Sequence, residues 1–210
     1  MATRVNADVQ RARILDAALR RIAHGGIAEL SLRKVAGESG INVGSVRHYF
    51  DGADALLTAA AAEAAKRIEA RIDGSTIERL HGLRGEAAVE ALLVLIEELL
   101  PGDEQRRTET IAVLELVVAS RTRAPFAAAA AQMGRDLRDT LAVALHALGA
   151  ADPTGDARFL ASLIAGLTLD AITPHGDFGD AAGGAPTETS TARIRAVLRP
   201  QLRRVLGVSR

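Results

Sequence analysis

Arg47, His48 and Tyr49 follow one another directly, Ser45 stands just before them, and Arg33-Lys34 lie in the same stretch, SLRKVAGESGINVGSVRHYF, residues 31–50. Its one acid is Glu38. The chemistry on offer is donation of hydrogen bonds to an anionic partner. A guanidinium presents two parallel N–H groups that match the O6 and N7 acceptors of guanine, and Ser45 and Arg47 suit base edges. Imidazole and phenol groups such as His48 and Tyr49 bond phosphate oxygens, as do Arg33 and Lys34.

Catalytic patterns are absent from the sequence. The GESG of residues 37–40 resembles a nucleophile elbow, but Ile41 stands where the final glycine is required. No phosphate-cradling glycine loop and no H-E-x-x-H is present, and the histidines are scattered at 24, 48, 81, 146 and 175. There is no cysteine, so disulfides and thiolate metal sites are excluded. The sequence calls for no metal, no cofactor and no enzyme.

Two short helices must position these donors. Ser31 is a good N-cap, and Leu32, Val35 and Ala36 supply a buried side that ends near Ser39. Gly40 suits the turn, because glycine takes positive φ without strain. Asn42 caps a second helix, Val43 to Tyr49, with Ile41, Val46 and Phe50 locking it to the first. Ala36 is small enough to let the two approach closely. This spacing fits a helix-turn-helix, whose second helix enters the DNA major groove. Gly44 costs that helix about 1 kcal/mol of propensity, and close approach of backbone to DNA is a reason to keep it. Helix termini also offer free backbone N–H groups to phosphates.

The stretch LSLRKVAGESGINVGSVRHYF, with DALL at 54–57, resembles the DNA-binding domain of the TetR family of one-component transcriptional regulators. The likeness runs over about residues 10–57. It implies a DNA-contacting set of Ser31, Arg33, Lys34, Asn42, Val43, Gly44, Ser45, Arg47, His48 and Tyr49. Many members carry Tyr at the position of Arg47. Many also carry a phosphate-binding Lys at the start of the fourth helix, where this chain has Ala53 between Asp51 and Asp54. Backbone affinity must then come from Arg33, Lys34 and Arg47, or from Arg4, Arg11 and Arg13.

Charge agrees with this arrangement. Residues 1–50 hold eight Arg or Lys against four acids, whereas the remaining 160 hold 18 against 22. A basic N-terminal module facing a polyanion gives such an asymmetry. The sequence predicts an all-α chain of about nine helices: 9–23, the two short helices, 53–72, 85–100, 104–122, 125–148, 153–172 and 189–205, with a short piece at 76–81. Asp73-Gly74 stops the fourth helix, and Pro200 kinks or interrupts the last. The Gly- and Pro-rich stretch 173–188 reads as a loop. Residues 1–52 form the DNA-binding domain, and residues 53–210 a ligand-binding and dimerisation domain. No signal peptide and no apolar run of membrane-spanning length is present, which points to the cytoplasm.

The resemblance further implies a homodimer on a double-stranded DNA operator, released by a small-molecule effector. The dimer would use the last two long helices, with Leu160, Leu163, Ile164, Leu167 and Ala171 on one and Ile194, Val197 and Leu198 on the other; the alternative is that both stripes face their own core. For the effector, Glu115 stands out on a helix apolar on its other sides over 110–119. Gln132 and Met133 follow a run of five alanines, and His146 and Asp170 are further candidates.

Overall fold

A chain rich in Ala and Leu, with apolar residues at three- and four-residue spacing, favours helices throughout. The computed structural model describes residues 2–72, 74–176 and 188–209, with side chains from residue 7 and, in the last segment, from residue 191. Ten helices follow in order: α1 (Ala2–Gly25), α2 (Leu32–Ser39), α3 (Val43–Tyr49), α4 (Ala53–Arg71), α5 (Gly74–Glu78), α6 (Gly85–Glu98), α7 (Glu104–Ala119), α8 (Ala127–Ala147), α9 (Pro153–Ile172) and α10 (Glu188–Val205). Because α5 is little more than one turn, nine longer helices remain, and there is no strand among the described residues. The fold is all-α. No helix among the described residues is long and apolar enough to cross a membrane.

Several helix ends differ from the sequence expectation for physical reasons. α1 starts at Ala2, because nothing before Gly25 is a glycine or a proline that would stop it. Pro125 opens a single 3-10 turn, Ala124–Phe126, before α8 begins. α10 runs straight through Pro200. Pro200 and Ala196 are both exposed, so the carbonyl that loses its N–H partner faces water. Asp73 and most of the 173–188 loop lie outside the described residues.

The chain divides into two compact units, residues 1–67 with 108–131 and residues 68–107 with 132–210. In the first, α1 buries Ile14, Leu15, Ala18, Leu19 and Ile22, and α4 buries Leu56, Leu57, Ala60, Ala61 and Ala64. α7 is less apolar in its surroundings than its sequence suggests. It buries Thr110, Ala112, Leu116 and Ala119 but leaves Val117 and Val118 exposed.

The second unit has one apolar core drawn from α6, α8, α9 and α10, including Leu92, Leu93, Ile96, Leu141, Leu145, Leu160, Leu198 and Leu202. This core takes up most of the stripe expected at the dimer interface. Leu160, Ile164, Leu167, Ala171, Ile194 and Leu198 are buried inside a single chain, and Leu163 packs half-buried against them. Val197, the remaining member of the stripe, is exposed. Among the described residues, the large apolar side chains that α9 and α10 leave exposed are Phe159, Leu169 and Val197.

Charge reinforces the contact between α6 and α10. Glu86, Glu90 and Glu97 stand at four- and seven-residue spacing on α6, facing Arg195, Arg199 and Arg203 on α10. Arg195 donates from Nε and Nη2 to both oxygens of Glu97 at 2.6 and 2.8 Å, and from Nη1 to Glu90 at 2.8 Å. Arg199 also bonds Glu90, and Arg203 bonds Glu86 at 2.7 Å. Hydrogen bonds from Arg195 and then Arg199 hold the Glu90 carboxyl below its ordinary value. The Glu97 and Glu90 carboxylates raise the Arg195 guanidinium above its own.

A carboxyl with a depressed folded-state pKa stabilises above its unfolded value of 4.5 and loses that contribution as pH falls through the lowered folded value. The network is substantially solvent-exposed, so its worth at Glu90 is about 0.5–1 kcal/mol after screening. Glu90→Gln is expected to lose that much stability in urea unfolding at pH 7. The gap to the parent chain should close well below pH 4.5; a gap that persists there would show that Glu90 acts through packing rather than charge.

Candidate nucleic-acid interface

A seven-residue helix such as α3 does not persist alone in water; α1 and α2 hold it. Ser31 has extended φ and ψ of −140° and 151°, and its Oγ accepts the Lys34 N–H at 3.2 Å. α2 ends at Gly40, φ 68°, a left-handed position that favours glycine. The Ile41 N–H closes the turn on the Ala36 carbonyl at 3.2 Å. Asn42 then caps α3, its Oδ1 accepting the Ser45 N–H at 2.8 Å. A Cβ on Gly44 would stand 3.2 Å from that Oδ1. Gly44 therefore also makes room for the cap, a local reason beyond close approach to a ligand.

The inner side of α3 is sealed. Val46 is fully buried and Phe50 nearly so, as are Val35 and Ala36 of α2. Side chains of α1 finish the support. Arg13 donates to the Ser39 carbonyl at 2.9 Å, bracing the end of α2, and the Arg11 guanidinium lies 5.7 Å from the Phe50 ring centroid. The Tyr49 hydroxyl donates to Gln10 Oε1 at 3.3 Å, and the Tyr49 and His48 rings meet edge-on at 5.7 Å.

These contacts sort the predicted donors. Asn42, Val43, Gly44, Arg47, His48, Arg33 and Lys34 are exposed, whereas Ser31, Ser45 and Tyr49 are half-buried. Among the exposed cations, Arg33 and Arg47 have no side-chain hydrogen bond or ion pair to another described residue. Lys34 is engaged, its Nζ 2.7 Å from Glu29 Oε1, and Arg21 takes the other oxygen of Glu29. The Lys34 hydrogen bond holds the Glu29 carboxyl below its ordinary value. Arg11 and Arg13 brace the domain rather than standing free, and the Arg4 side chain lies outside the described residues. Asp54, in the first turn of α4, is paired with Arg123. That pairing is invisible to local pattern, because 69 residues separate the partners.

The effector candidates fall in both compact units. Glu115 is half-buried, and its Oε1 would lie 3.0 Å from a Cβ on Gly26, at the end of α1. It belongs to the first compact unit; Gln132, Met133, His146 and Asp170 belong to the second. Gln132 and His146 are exposed, and neither is walled in. The Gln132 amide is also committed to its own helix face, donating to Asp136 and accepting from Arg135, both at 2.6 Å. Met133 and Asp170 are half-buried. A buried carboxylate on α7, Glu109, gave no sequence signal, because it sits beside charged neighbours at the polar start of the helix.

Residues 14–60 match the bacterial regulatory proteins of the tetR family, and residues 88–207 match the C-terminal region of BetI-type transcriptional repressors. The HTH-type transcriptional regulator PksA of Bacillus subtilis (strain 168) is 28% identical over 116 residues. That alignment covers 55% of this chain and 52% of PksA, about half the length of the curated relative. A transcriptional regulator from Rhodococcus sp. Rha1 shares the fold, with a TM-score of 0.74 at 24% identity over 93% of this chain and 95% of that one. The multidrug binding protein EbrR, complexed with ethidium, is similar with a TM-score of 0.60 at 27% identity, covering 91% of this chain and 97% of its own. With a capped α2–α3 pair inside one matched region and more than half the chain inside the other, this protein belongs to the TetR family of DNA-binding transcriptional regulators.

Proposed function

We propose that the chain is a ligand-responsive repressor that binds a palindromic operator as a homodimer and is released by a small-molecule effector. The observation that supports this best is the outer face of α3. Arg47 stands exposed there with no side-chain partner, on a helix whose inner side is fixed by Val46 and Phe50. In this reading residues 1–52 read DNA, residues 53–210 bind the effector and dimerise, and the protein works in the cytoplasm without catalysing a reaction. Arg47 takes a base edge, Arg33 takes phosphate, and His48 and Tyr49 flank the backbone. Ser31 and Asn42 act through their caps, and Lys34 contributes to the field around the site while held by Glu29.

Dimerisation supports operator binding, because two reading heads on a two-fold axis match two half-sites of a palindrome. The surface for it is the exposed apolar side of α9 and α10, where Phe159, Leu169 and Val197 sit among small residues such as Ala165, Gly166 and Ala196. Small-molecule control draws support from the EbrR likeness, a regulator-like fold that binds ethidium. Glu115, Met133 and Asp170 are the remaining candidates for polar or adaptable contacts to an effector.

Arg47→Ala is expected to weaken binding to a specific duplex by about 1–3 kcal/mol, the worth of one bidentate base contact. Binding of the parent chain should fall steeply with added salt. Fluorescence anisotropy with operator and scrambled duplexes at several salt concentrations checks both; equal affinity of parent and variant for the operator removes Arg47 from base reading. Leu169→Glu combined with Val197→Glu is expected to give a folded monomer in sedimentation velocity, with operator affinity lost. A dimer that survives both charges places the interface elsewhere.

A further inference from the structure

We infer that Val43 reads the 5-methyl group of a thymine, and that it does so within two base-pair steps of the guanine read by Arg47. The inference rests on the DNA-binding function proposed above and adds which bases the half-site must contain.

Val43 is 39% exposed. It stands on a helix whose burial is supplied by Val46 and Phe50, so the core does not explain it. A β-branched side chain also lowers helix propensity. A lone exposed valine means little by itself; its neighbours give this one a role. Asn42, next to it, is held in place as the cap of α3, its Oδ1 accepting the Ser45 N–H. Gly44 has no side chain. The exposed surface of α3 between Asn42 and Arg47 therefore presents one side chain of size, the valine.

Val43 and Arg47 are separated by four residues, so they share one helix face. Their Cα atoms are about 6 Å apart along the axis, and base pairs step by about 3.4 Å. A helix face lying along the groove thus sets its apolar contact and its guanidinium over bases one or two steps apart. In the major groove the apolar feature available to Val43 is the thymine methyl, and guanine O6 and N7 are the acceptors that fit Arg47. The pair defines a half-site element with a thymine and a guanine in close succession.

The test uses the full-length protein and a duplex selected from a random-sequence pool. Each thymine is replaced in turn by deoxyuridine, which removes only the methyl, and each guanine by 7-deazaguanine, which removes N7. One methyl is worth about fourfold in affinity. One thymine per half-site is expected to cost the parent about fourfold on losing its methyl, and Val43→Ala less than 1.5-fold. Val43→Thr, which keeps the branched shape and one methyl, should fall between them and guards against a folding defect in the alanine variant. A guanine within two steps should cost the parent at least about fivefold on losing N7 and leave Arg47→Ala unaffected. If a specific duplex is bound but no thymine couples to Val43, or the coupled guanine lies further away, the inference is overturned while the regulatory function stands. If the pool yields no specific duplex, the DNA-binding proposal itself fails and takes the inference with it.

Discussion

The structure at the N-terminus depends on burying one side of a helix too short to exist alone. Seven residues cannot recover the cost of nucleating a helix in water. α3 exists because Val46 and Phe50 enter an apolar seat beside Val35 and Ala36, and because Asn42 and the Gly40 turn satisfy the backbone where α2 stops. Fixing one side of the cylinder fixes the other. The direction in which Arg47 and Val43 point follows from where Val46 and Phe50 are anchored, so the outer face of α3 is set by packing on the far side of the helix.

The same economy governs the charges. The N-terminal fifty residues are basic, but most of that excess is spent internally. Arg13 holds the end of α2, Arg20 pairs with Glu38 at 2.9 Å, Arg21 and Lys34 share Glu29, and Arg11 lies against Phe50. Arg33 and Arg47 remain free of side-chain partners among the described residues. Net charge therefore overstates the number of groups ready for phosphate, while the steering field of the whole module persists, since a paired Lys34 still contributes its charge.

What the sequence made legible was local. The caps at Ser31 and Asn42, the positive-φ turn at Gly40 and the inward Val46 and Phe50 all follow from spacing within twenty residues, and the structure has them where they were expected. What it could not resolve was which neighbour an apolar stripe meets. Leu160, Ile164 and Leu167 form a good amphipathic stripe, but the same period serves a core and a dimer face equally, and within the chain these side chains belong to the core. Gln132 is ambiguous in sequence for a related reason. In an alanine-rich helix the small residues carry no sign of which side is buried, so a polar residue after them could have faced either way. The α6–α10 ladder and the Asp54–Arg123 pair were hidden by separation along the chain.

That last pair bears on how Ala53 is tolerated. Without a cation at the start of α4, the acids at 51 and 54 stand next to the reading helix, where a phosphate backbone would repel them. Arg123 compensates Asp54 from the turn that follows α7, and its guanidinium also lies 5.0 Å from the Phe126 ring centroid, so it is held from two sides. Both Asp54 and Arg123 fall in the first compact unit, together with most of α7. The charge environment at the start of α4 is therefore completed by a residue remote in sequence. Loss of the Arg123 guanidinium would leave Asp54 without this partner, with α3 itself untouched.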